Sequence, residues 1–130
     1  MGTDAENLTG IWQGRYSYPF GPSVSFVATL IDSGGSFTGS THEPCSFDSG
    51  RTIFAMLEGS LDGREVSFLK RYQDAGPLYA ATIKYRGTLS QDATEIAGRW
   101  AIWTIFSGKF VMTRLPGKAA EVEHKQSELV

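Results

Sequence analysis

At 130 residues the chain is long enough for one domain with a sizeable core, and its 41% hydrophobic and 20% charged content is ordinary for a globular protein. A formal charge of −2 gives no electrostatic footprint for nucleic acid or an anionic membrane, so neither is expected as a partner. A single cysteine, Cys45, excludes a disulfide within the chain; with no basic and apolar leader and no bilayer-length apolar run, the expected location is the cytoplasm.

Residues 1–7 read as an N-terminal extension, 8–117 as the domain and 118–130 as a polar tail to which no function is assigned. Fifteen glycines scattered between short apolar runs indicate many turns and an all-β chain. Residues 8–18 alternate: Leu8, Gly10, Trp12, Gly14, Tyr16 and Tyr18 share one face, and Gln13, Arg15 and Ser17 take the other. That period of two marks a half-buried strand. The second strand, 23–32, carries Val24, Phe26, Ala28 and Leu30 inward and ends at Asp32-Ser33-Gly34-Gly35, a tight turn into a third strand over 36–43. A longer loop is expected over 44–51, then a fourth strand over 52–60 and a turn over 61–64. The fifth strand, 65–72, places Val66, Phe68, Lys70 and Tyr72 on one face. A sixth is expected over 78–89 with Tyr79, Ala81, Ile83, Tyr85, Gly87 and Leu89 together, a seventh over 94–106, and a last over 109–114 opened by Ser107-Gly108.

Eight strands with short connections and no helical crossover specify an eight-stranded antiparallel up-and-down β-barrel, whose interior either packs solid or holds one small ligand. First and last strands are then neighbours, and Arg114 can lie across the Trp12 ring as a structural floor, a stack worth about 0.5–2 kcal/mol. The turns at 32–35, 61–64 and 90–93 fall at the Trp12 end, and the more varied connections fall at the other, which makes that end the mouth.

Thr9-Gly10-Ile11-Trp12, with Arg114 on the last strand, resembles the structural signature of the calycin superfamily, which includes lipocalins, fatty-acid-binding proteins and avidins. The layout resembles the avidins in Leu8-Thr9-Gly10-Ile11-Trp12, Gly35-Ser36-Phe37-Thr38-Gly39 and Phe110-Val111-Met112-Thr113-Arg114. Residues 65–72, 85–89 and 98–100 are also similar to small uncharacterised bacterial proteins of this kind. The resemblance implies a lipocalin- or avidin-like barrel. It does not imply biotin: the ligand-binding positions of avidins fall at Gly14, Thr41 and Lys70, and only Trp100 matches a wall residue.

Lys70 points inward by strand parity, beside Tyr72 and across from Tyr79, near the mouth. It either reaches water along its stem or pairs with Glu43 or with a ligand carboxylate. The expected ligand wall is Trp100, Phe68, Ile83 and Tyr85; Lys70 with Tyr16, Tyr18, Tyr72 and Tyr79 would orient the ligand, and loop 44–51 would act as its lid. Core packing is the first reading of Trp100, ahead of a ligand wall, and Tyr16, Tyr18 and Tyr79 can also simply fill the upper barrel. No metal site is expected, because His42 and Glu43 are adjacent and face opposite ways, and no cofactor or catalytic motif is present. A buried pair of titrating groups in the pocket is the feature that would reopen catalysis. Outward Ala101, Trp103, Ile105 and Val111 form an apolar band suited to a homodimer, or else covered by a tail or loop. The resulting expectation is a non-enzymatic barrel for a small apolar or amphipathic ligand, anionic ones included; its rival is a solid-cored oligomerisation or interaction module.

Overall fold

A computed structural model describes residues 6–45, 48–103 and 106–115. Eight strands, β1 (Gly10–Ser17), β2 (Ser23–Asp32), β3 (Ser36–Cys45), β4 (Asp48–Asp62), β5 (Glu65–Gln73), β6 (Ile83–Leu89), β7 (Glu95–Ile102) and β8 (Phe106–Thr113), follow one another around a closed barrel. Each pairs antiparallel with the next, and β8 returns to β1 with Tyr16 opposite Phe110. A short 3-10 turn, Pro77–Tyr79, precedes β6. The all-β, up-and-down architecture is the expected one.

Alternation builds the wall. Trp12 and Tyr16 from β1, Phe26, Ala28 and Leu30 from β2, Val66 and Phe68 from β5 and Phe110 and Met112 from β8 are buried in one core. At one end of the barrel Arg114 lies over Trp12. The Arg114 guanidinium carbon lies 4.5 Å from the Trp12 ring centroid, Nε donates to the Ala93 carbonyl (3.0 Å) and Nη1 to that of Thr9 (3.1 Å). Burial pulls the Arg114 pKa down, but the guanidinium stays charged. The Asp32 carboxylate holds the adjoining turn by accepting from the backbone N–H groups of Leu8 and Gly35, both at 3.0 Å.

Three expected boundaries are corrected. The expected lid over 44–51 is largely strand: β3 continues to Cys45 and β4 begins at Asp48, with Pro44 opposite Thr52, while 46–47 lie outside the described residues. The pairing slips between Pro44 and Cys45, the kind of irregularity at which a strand tolerates a residue without an N–H. The sixth strand begins at Ile83 rather than 78, so Tyr79 and Ala81 sit in the connection ahead of it. The seventh ends at Ile102; Trp103 turns the chain with φ 52°, and Phe106, Ser107 and Gly108 belong to β8. Gly108 reads as a turn residue but serves a close approach, since a Cβ there would collide with the Ser17 carbonyl and the Trp100 indole. Ile105, residues 1–5 and the tail from 116 lie outside the described residues.

Candidate binding site at the barrel mouth

The inward face of β3 delivers Thr41, Glu43 and Cys45 to the interior, and that of β5 delivers Phe68, Lys70 and Tyr72. Parity alone sends Lys70 inside; β4 separates it from Glu43 in the wall, so the two meet across the lumen. Lys70 Nζ lies 2.7 Å from Glu43 Oε1, with both side chains 1% exposed. The lysine does not reach water at the rim. Tyr16 Oη donates to Glu43 Oε2 at 2.5 Å, and Tyr72 Oη lies 3.0 and 3.1 Å from the two carboxylate oxygens. One carboxylate thus gathers an ammonium and two phenols.

Aromatic rings enclose the ammonium. Lys70 Nζ is 4.8 Å from the ring centroids of Tyr16 and Phe26, 4.9 Å from Tyr72 and 5.8 Å from Tyr85. Such faces attract a cation most strongly once water is excluded. Desolvation still lowers the Lys70 pKa, opposed by the charge and hydrogen bond of Glu43. Desolvation first, then the negative charge of Glu43, raises the phenols of Tyr16, Tyr72 and Tyr85, so all three stay protonated donors.

Below this layer the barrel is filled. Phe68 stacks on Tyr85 with centroids 4.6 Å apart and planes 10° from parallel; Phe110 meets Tyr85 edge-on at 4.9 Å, and Phe37 meets Phe68 at 6.0 Å. Phe68, Ile83 and Tyr85, expected as ligand wall, belong to this core, where Phe68 and Tyr85 serve as each other's partner. Phe26, which sequence reasoning left out of the site, supplies one ring of the cage; its side chain lies where a Cβ on Gly14 would be, and the missing side chain at Gly14 was its only signal.

Above the ion pair the enclosure loosens. Tyr79 from the 3-10 turn meets Tyr72 edge-on at 4.8 Å, and both are half-buried. Tyr18, just past β1, is 46% exposed and stands edge-on to Trp100 at 5.3 Å. The Trp100 indole N–H donates to the Ser17 carbonyl at 3.0 Å. The Thr41 hydroxyl, on the same inward face as Glu43, is a buried polar group without a partner among the described residues. The mouth thus joins Tyr16, Tyr18, Glu43, Lys70, Tyr72, Tyr79 and Trp100.

Chemically, the site holds a compensated charge pair, phenolic hydroxyls and aromatic faces. It contains the buried titrating pair that would favour catalysis, yet in this closed arrangement neither Lys70 nor Glu43 is open to a substrate. Among the described residues no cluster of His, Cys, Asp and Glu is suited to a metal, and His42 is outward and exposed beside Phe54. There are two shallow depressions: one of about 290 Å³ along Gln13, Val27, His42 and Thr52 that also touches Phe26 and Glu43, and one of about 580 Å³ beside Lys84, Ala101 and Trp103.

The chain matches no protein-family profile and no curated protein. Solved structures to which it is similar include two β-barrels. One is a redesigned barrel, with TM-score 0.68 at 14% identity over 83% of this chain and 91% of the other. The second is a de novo designed fluorescence-activating barrel, with TM-score 0.61 at 13% identity over 82% and 93%. At these identities the likeness is one of fold.

Proposed function

We propose that the protein is a non-enzymatic calycin-type barrel that binds a small aromatic or amphipathic ligand in its mouth. The observation that carries this reading is the ion pair of Lys70 and Glu43 with the hydroxyls of Tyr16 and Tyr72, set in an interior that is otherwise packed with apolar rings. An apolar filling of the same space would typically fold at least as stably, so a buried pair is poorly explained by stability. Perturbed groups beneath a partly open roof are better explained by a site. The Trp12–Arg114 floor supports the calycin assignment, and a similar barrel bears the name of a fluorescence-activating design.

Because Glu43 already neutralises Lys70, the ligand needs no negative charge of its own. A flat neutral ligand would slide between Tyr18, Tyr79 and Trp100, displacing the Tyr18 ring, and would reach the Tyr72 hydroxyl with a polar group. The filled lower barrel favours a second reading, an interaction module acting through its outer wall.

Titration with the neutral fluorogen N-phenyl-1-naphthylamine and its anionic sulfonate relative, followed by emission and by amide and indole NMR shifts, separates the two. The first reading expects saturable binding of the neutral probe, a shift of the Trp100 indole N–H, and weakening by Tyr18→Ala. No saturation below about 1 mM, equivalent to roughly 4 kcal/mol of binding, overturns it and leaves the interaction module.

A further inference from the structure

We propose that the β7–β8 side of the barrel docks on an anionic phospholipid bilayer, with Trp103 and Phe106 entering the interface. The whole-chain charge of −2 gave no reason to expect this, because a total does not show where the charges cluster. Arg86 on β6 is directly opposite Arg99 on β7, which is directly opposite Lys109 on β8. All three are exposed, and none has an ion-pair partner among the described residues. Directly opposed like charges destabilise a sheet, and among the described residues nothing relieves this row of three. Exposed Lys84 and Arg15 widen the row on β6 and β1. The acid on the outward face of these four strands is Glu95, at the floor end opposite Thr113. Asp62, Glu65 and Asp92 also lie at the floor end.

Past the mouth end of the row, the exposed side chains turn aromatic. Trp103 is 74% exposed and Phe106 54%; on the adjoining β1–β2 connection Phe20 is 92% exposed and Tyr18 46%. Ser17 opposite Lys109 brings that connection beside the hairpin. Phe106 lies three residues beyond Lys109, about 10 Å along the strand. With Trp103 and Phe106 lowered about 5–10 Å to the boundary of headgroups and acyl chains, the cations stay at phosphate level. Aromatic rings at that depth with basic residues behind them are a membrane-interface arrangement.

A second copy of the chain fits this wall less well. A two-fold homodimer through Trp103, Ile105 and Val111 would bring the row of Arg86, Arg99 and Lys109 close to its own copy. A nucleic acid would favour aromatics interleaved with the cations, whereas here they lie beyond the row.

The test is sedimentation with vesicles of phosphatidylcholine, with and without phosphatidylserine, together with quenching of tryptophan emission by brominated lipid. Trp12 and Trp100 are buried, so quenching reports Trp103. The expected result is binding that requires phosphatidylserine, weakens with salt and quenches Trp103. Arg99→Gln with Lys109→Gln should weaken it about thirtyfold, from roughly fivefold per cation. Phe106→Ser should reduce quenching, and unchanged near-ultraviolet circular dichroism should show the variants folded. No binding, binding indifferent to phosphatidylserine, capture of single-stranded RNA in place of vesicles, or a self-association abolished by Trp103→Ser each overturns the proposal. Fluorogen binding is measured without vesicles, so either reading can fail alone.

Discussion

Lys70 and Glu43 show how a charged side chain that an apolar core would reject can be kept inside a barrel. The ammonium has one carboxylate and four ring faces, while the carboxylate has the ammonium and two phenols. Removing one partner is therefore far worse than removing both. Lys70→Met should cost roughly 3–5 kcal/mol in urea unfolding, because Glu43 is left buried without its counter-ion. Lys70→Met with Glu43→Gln should recover a large part of that loss, since an amide oxygen still accepts from a tyrosine and no charge remains. Losses that simply add would show that the pair is not coupled. The inward direction of Lys70 was legible from its position beside Phe68 and Tyr72. Its partner was not fixed, because the lumen distance between β3 and β5 depends on barrel stagger, which strand parity does not contain.

At the scale of elements, period-two patterning placed most strands, and turn residues misplaced some ends. Pro44 and Gly108 were both read as punctuation, yet one sits at a slip in a continuing strand and the other inside β8. In each case the residue type reports a local backbone need, and only the three-dimensional neighbour says which need. For Gly108 that neighbour is Trp100, whose indole is pinned to the Ser17 carbonyl from β1. Gly108→Val should destabilise by about 1–3 kcal/mol through overpacking at the junction of β7, β8 and β1. Thermal unfolding with near-ultraviolet circular dichroism of Trp100 checks this, with exposed Thr113→Val on the same strand as the comparison. Equal melting of the two variants would mean that Gly108 is not a close-approach position.

For the whole molecule, the tyrosine layer sets the response to alkali. Tyr16, Tyr72 and Tyr85 have folded-state pKa values above the ordinary 10.0, chiefly because burial penalises phenolate. Once the pH passes about 10, the unfolded chain releases these protons while the folded barrel holds them, so stability falls as pH rises. Three such groups give a limiting slope of about 4 kcal/mol per pH unit. Lys70 acts with the opposite sign and over a lower window. Its folded pKa lies below 10.5, so between that value and 10.5 the unfolded chain binds the extra proton and stability rises with pH, with no further change above. Together they predict a stability maximum near pH 10 followed by a steep loss. Urea midpoints from pH 8 to 11.5, read beside tyrosinate absorbance, test it: the three buried phenols should ionise together with unfolding. Ionisation of Tyr16, Tyr72 and Tyr85 near pH 10 in a barrel that keeps its structure would mean that the layer is open to water, and the compensated site at the mouth would have to be abandoned.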